Sequence, residues 1–96
     1  MQMRGEVVKE THIRKQIQDY LRWKGFFVYY CLAGLGAYPG LSDLVATKNG
    51  ITYHIEVKTP KGRQSEKQKE FQADLESAGG RYILARGIED VEDLEG

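Results

Sequence analysis

The 96-residue sequence has one cysteine, no apolar run of membrane-spanning length and no net charge, and each shortage excludes something. Cys31 has no partner for an internal disulfide, and its apolar, strand-like setting marks it as a small core hydrophobe rather than a nucleophile. Met1-Gln2-Met3-Arg4-Gly5 lacks the apolar stretch of a signal peptide, so the cytoplasm is the expected compartment. No internal repeat or linker interrupts the chain, and its length suits one core but not two, so residues 1–96 are expected to form one domain. A formal charge of +0 would speak against a nucleic-acid partner if the charges were evenly spread.

They are not evenly spread. Between residues 58 and 69, Lys58, Lys61, Arg63, Lys67 and Lys69 face Glu66 alone, a net +4. From residue 70 onward two arginines stand against eight carboxylates, a net −6. The basic stretch begins where a more specific pattern ends. Lys48-Asn49-Gly50-Ile51 carries Asn-Gly, the strongest short hairpin signal, followed by a strand over Ile51 to Lys58. A two-residue turn at Asn49-Gly50 pairs 48 with 51 and sets Asp43 opposite Glu56. Alternate strand residues share a face, so Glu56 and Lys58 point one way, while Leu44, Ala46, Tyr53, Ile55 and Val57 point to an apolar side. Like charges paired across strands repel unless a cation sits between them, and carboxylate oxygens are the ligands Mg²⁺ prefers.

Elsewhere the chain alternates between helical and strand-like patterns. Glu10 to Lys24 spaces Ile13, Ile17, Tyr20 and Leu21 as an amphipathic helix that Gly25 ends. Glu10 falls on its inward stripe, although a first-turn acid also complements the helix dipole. Phe26 to Leu32 reads as a strand, with Tyr29 and Tyr30 expected in core or rim packing. Ala33 to Gly40, with three glycines and a proline, is a loop; no Gly-Lys-Ser/Thr follows, so it is a flexible rim rather than a nucleotide cradle. Tyr38 on that rim could stack on a base. Beyond Thr59 to Arg63, Ser65 caps a second helix whose stripe is Gln68, Phe71, Leu75 and Ala78, ended by Gly79-Gly80. Gln68 completes a Ser-x-x-Gln capping box or faces a site; both readings stand. Arg81 to Arg86 forms a further strand, and Ile88, Val91 and Leu94 suggest a short terminal helix. The expected order is α-β-β-β-α-β-(α).

Glu10, Asp43, Glu56 and Lys58 together suit an open Mg²⁺ or Mn²⁺ site for phosphodiester hydrolysis, with Lys58 orienting the nucleophile or neutralising developing charge. Here the chain resembles the PD-(D/E)xK nucleases, and within them the VRR-NUC domains of phage and bacterial replication and repair nucleases. The resemblance runs nearly full length: Glu10-x-x-Ile13-x-x-x-Ile17-x-x-Tyr20-Leu21, Gly40-Leu41-Ser42-Asp43-Leu44, Glu56-Val57-Lys58 and Gly62-x-x-Ser65-x-x-Gln68. It implies an α/β restriction-endonuclease-like core, α-β-β-β-α-β, with a mixed central sheet flanked by helices. It also implies that Asp43, Glu56 and the Val57 carbonyl bind metal, that Glu10 assists directly or through water, that Lys58 is catalytic and that Gln68 supports the site. Ser42 stands where the family name expects proline; that position shapes backbone and supplies no ligand.

Stand-alone members resemble homodimeric resolvases of branched DNA such as four-way (Holliday) junctions, which implies a Mg²⁺-dependent, structure-specific endonuclease acting as a homodimer in DNA repair. Lys61, Arg63, Lys67 and Lys69 are the expected phosphate contacts, with Arg14, Lys15 and the Gly34 to Gly40 loop as the other candidate path. Two other readings compete. A nucleic-acid-binding subunit without hydrolysis conflicts with retention of all four acid and base positions. A structural domain with a Glu56–Lys58 surface ion pair leaves Asp43 and Glu10 unexplained.

Overall fold

The computed structural model describes residues 9–32 and 34–96; Met1 to Gly5 and Ala33 lie outside the described residues. Helix α1 spans Glu10–Trp23, strands β1, β2 and β3 span Phe27–Tyr30, Leu44–Lys48 and Ile51–Val57, helix α2 spans Glu66–Ser77, strand β4 spans Arg81–Ala85, and a 3-10 turn covers Ile88–Asp90. The strands lie in sequence order, the first three antiparallel and β4 parallel to β3. Parallel neighbours need a crossover, which α2 supplies. The result is the expected α/β order around a mixed four-stranded sheet.

Local rules account for most element ends. Asn49 and Gly50 both take positive φ, 52° and 82°, the paired left-handed residues of a tight hairpin turn, and the register is Lys48 with Ile51 through Leu44 with Ile55. Helix α1 closes with the Gly25 amide on the Arg22 carbonyl (3.0 Å) and the Phe26 amide on Leu21 (2.9 Å), Gly25 having φ 96°. Because Phe26 donates to the helix end, β1 starts one residue later than the sequence pattern suggests. Helix α2 ends in the same way, Gly79 on Glu76 and Gly80 on Leu75.

Ile13, Ile17 and Leu21 of α1 bury against Val28, Leu44, Ala46, Tyr53, Ile55 and Val57, the apolar face foreseen from alternation. The other face is not an open polar surface. Helix α2 covers its β4 side, with Phe71 packed edge-on to His54 (centroids 6.2 Å apart) and beside Tyr82 (6.1 Å). No residue of α2 is fully buried, and Ala78, at its C-cap, is exposed rather than part of the inward stripe. Tyr29 and Tyr30 are exposed instead of packed, on β1, which is an edge strand among the described residues. Cys31 follows the end of β1, half-buried and outside the core cluster, so its assignment as a core hydrophobe is corrected. The terminal segment forms a single 3-10 turn, with the Arg86 amide held by Asp90 Oδ2 (2.8 Å) and Val91 buried.

Candidate active site

The hairpin brings Asp43 and Glu56 together, but not as a simple ladder pair. Asp43 directs its amide to the Ile55 carbonyl (3.0 Å) and its own carbonyl to the Cys31 amide (2.7 Å), thus bonding both neighbouring strands at once. Regular strand residues turn both groups to one side, so the backbone twists here in the manner of a bulge. The twist lets Asp43 Oδ2 accept the Val57 amide at 2.7 Å, where a ladder carbonyl would otherwise serve. Asp43 is thereby tied to the middle of the Glu56-Val57-Lys58 run.

Glu56 is 1% exposed, an uncommon place for a carboxylate. Its Oε2 accepts a hydrogen bond from Gln68 Nε2 at 2.6 Å and lies 3.6 Å from Lys58 Nζ. Its Oε1 is buried with no protein partner. Burial first, and then the charge of Asp43, push its pKa from 4.5 up to about 8; Lys58 opposes the shift and Glu10 adds to it. A buried acid with one unpaired oxygen beside a second carboxylate could ligate a hard divalent cation. Among the described residues no three His, Cys, Asp or Glu side chains converge to enclose a metal on their own. Asp43 and Glu56 could contribute two carboxylates to an open site of the kind Mg²⁺ takes.

Gln68 forms the capping box and also reaches Glu56. Its Oε1 accepts the Ser65 amide (2.8 Å) and its own amide donates to Ser65 Oγ (3.1 Å), closing the capping box, while Nε2 holds Glu56. One side chain thus fixes the start of α2 and the orientation of the buried acid. Glu10 is half-buried at the start of α1 and acts on Glu56 through its field. Burial and Asp43 raise the Cys31 thiol pKa, which keeps it protonated and disfavours a nucleophilic role.

The basic residues divide. Lys67 and Lys69 pair with Glu70 (3.6 Å) and Glu66 (3.4 Å) along the exposed face of α2, whereas Lys61 and Arg63 are exposed and make no ion pair among the described residues. On α1, Lys15 pairs with Asp19 (3.0 Å) and the Arg14 guanidinium lies over the Tyr30 ring (4.5 Å).

Three features escape a reading of the sequence. Arg86 Nη1 donates to the carbonyls of Thr59 (2.6 Å), Gly62 (2.7 Å) and Pro60 (3.3 Å), clamping the loop that runs from Lys58 to the cap of α2. Nothing in its local pattern marks this, since the contact depends on β4 lying parallel to β3. Gly40 has φ 78°, and a Cβ there would collide with the Lys67 carbonyl, so the glycine loop is seated on the first turn of α2. Ser42 is buried with its hydroxyl unpaired beside Asp43.

Neither a family model nor a curated protein matches the sequence. Among solved structures, one described as a VRR_NUC domain superposes with a TM-score of 0.77 over 92% of this chain and 95% of its own, at 20% identity. At that identity the likeness is one of fold, and the fold is that of the structure described as a VRR_NUC domain.

Proposed function

We propose that this chain, built on the VRR_NUC fold, is a Mg²⁺-dependent endodeoxyribonuclease that cuts branched DNA, four-way junctions included, as a homodimer. The observation that carries the reading is Glu56: a buried carboxylate with one free oxygen, next to Asp43 and within reach of Lys58. Asp43, Glu56 and the Val57 carbonyl would hold Mg²⁺, or Mn²⁺ in its place, with Glu10 in a supporting position. When bound, such an ion supplies Lewis acidity toward a phosphoryl oxygen and a water of lowered pKa.

The chain's own residues do the positioning. Asp43 is locked by the Val57 amide, and Gln68 restrains Glu56 Oε2 so that Oε1 stays free. Lys58, largely shielded from solvent, sits where it can place a nucleophilic water and offset the charge that grows on the phosphoryl oxygens. Lys61 and Arg63 would neutralise flanking phosphates without reading sequence. The edge strand β1 supports pairing of two copies: among the described residues it leaves a strand edge uncovered, and it exposes Phe27 (68%) and Tyr29 (48%), whose rings lie 5.7 Å apart, tilted to each other.

The test is cleavage of four-way, flap and linear duplex DNA with Mg²⁺, with chelator, and with Lys58→Ala or Asp43→Ala. Wild type should cut the branched forms only with metal. Lys58→Ala should retain metal and DNA binding yet lose cleavage, because its contribution belongs to the transition state. Binding without cleavage by wild type would instead indicate a nucleic-acid-binding subunit, and Asp43→Ala binding Mn²⁺ as well as wild type would remove the metal site.

A further inference from the structure

A cavity of about 290 Å³ opens between the glycine loop and the N-terminal turn of α2, walled by Tyr38, Pro39, Gly40, Leu41, Ser65 and Gln68. It is just below the usual range of ligand sites, with room for one flat heterocycle and none for a duplex. Gln68, whose Nε2 holds Glu56 at 2.6 Å, is one of its lining residues, so the cavity adjoins the candidate active site.

Tyr38 is the feature that gives this cavity a chemistry. The residue is 56% exposed, yet it is anchored at both ends: its hydroxyl donates to Asp74 Oδ2 (3.3 Å) and its ring meets the Phe71 ring edge-on at 5.7 Å. An exposed aromatic ring held in place loses little entropy when a planar group stacks on it. Gly40, seated against the Lys67 backbone, keeps the loop at a fixed distance from α2. Pro39 adds a rigid neighbour, and the exposed lysine head of Lys67 on the adjoining turn is paired only at 3.6 Å with an equally exposed Glu70, an interaction that a phosphate can displace.

We propose that this cavity is a slot for a single unpaired nucleobase, which stacks on Tyr38 while its phosphate runs past Gln68 toward Glu56. The proposal rests on the nuclease reading and deepens it by naming what the enzyme selects. A base inside a duplex must be unstacked before it enters such a slot, whereas a nucleotide at a junction, gap or end has already lost part of its stacking. Branched DNA would then be chosen by the low cost of offering one base, which gives a domain of this size a means of selection without a separate recognition module.

The experiment measures binding of three DNAs by fluorescence anisotropy in Ca²⁺: a four-way junction, a duplex with a single-nucleotide gap, and an uninterrupted duplex. It compares wild type, Tyr38→Ala and Tyr38→Phe, each checked for folding by circular dichroism. A 2-aminopurine placed at the unpaired position reports stacking through quenching. Tyr38→Ala should weaken the junction and gapped complexes by about tenfold, within the span of base–aromatic stacking, and abolish the quench. Binding to uninterrupted duplex should stay the same. Tyr38→Phe should keep the quench and most of the affinity, since it keeps the ring and its contact with Phe71 and loses only one of the two anchors, the bond to Asp74. Loss in Tyr38→Phe equal to that in Tyr38→Ala would make the residue a structural prop and overturn the slot, as would unchanged affinity in Tyr38→Ala. Wild type that binds none of the three DNAs would remove the nuclease reading itself, a result distinct from the other two.

Discussion

Glu56→Gln separates what burial does to this acid from what ligation does. In the metal-free protein the Glu56 pKa stands at about 8 against an ordinary 4.5, so the fold favours the protonated acid. A raised acid pKa means stability that is complete below about 4.5 and is lost as the pH climbs through about 8. At about 1.4 kcal/mol per pH unit, that interval caps the loss at about 5 kcal/mol, and local relaxation or water entry will hold it to a fraction of that. Glutamine does not titrate. It keeps an oxygen for Gln68 but sets an NH₂ where Oε1 has no partner, a fixed cost of about 1–3 kcal/mol at every pH. The variant's stability should therefore fall less with rising pH than that of wild type, the difference between the two changing between pH 4.5 and 8 by a fraction of that cap. Saturating Mg²⁺ should reverse the comparison, because a ligand that binds only the folded state stabilises it and displaces the proton from Glu56. Urea unfolding followed by circular dichroism in chelator and in Mg²⁺ across this range measures both effects. Parallel pH profiles would show that Glu56 does not titrate as its burial requires, and an equal Mg²⁺ response in the variant would place the cation elsewhere.

Other perturbations address the surroundings of that acid. Changing Lys61 and Arg63 together to Ala should lower the log–log salt slope of duplex binding by roughly 1.8, at about 0.9 per phosphate contact, and leave Mn²⁺ binding intact by calorimetry; an unchanged slope would move the DNA path toward Arg14 and Lys15. Arg86→Met removes a charged donor from three carbonyls and should cost about 2–3 kcal/mol in denaturant titration, with a lower kcat as the loop between Lys58 and Ser65 loosens. A variant as stable and as active as wild type would show that the clamp is dispensable. Phe27→Asp should shift a dimer to monomer in sedimentation analysis without altering the fold, because the ring is largely exposed; a wild-type chain that is already monomeric would end the pairing proposal.

Much of this arrangement follows from residues acting over short distances. Asn49-Gly50 admits one tight turn, and the turn sets the register as far as Leu44 with Ile55, which carries Asp43 to the neighbourhood of Glu56. Gly25 and Gly79 stop the helices because each takes the left-handed conformation that other residues avoid, and alternation sorts Ile55 and Val57 from Glu56 and Lys58. The Ser65–Gln68 box is equally local. What the sequence alone could not decide depends on which surfaces meet. Glu56 becomes a perturbed acid because packing removes it from water, with Gln68 of α2 and strand β4 beside it, and because Asp43 adds a like charge. Gln68 acquires its second role because the cap of α2 is delivered to the same spot, and Arg86 reaches the 59–62 loop only through the parallel placement of β4 beside β3. Tyr29 and Tyr30 carry the same strand signal as residues that are buried, but no periodicity distinguishes an edge strand from a central one. Turns, caps and alternation are settled within a few residues along the chain, whereas burial, and with it the charge state of Glu56, is settled by elements far apart in sequence that pack side by side.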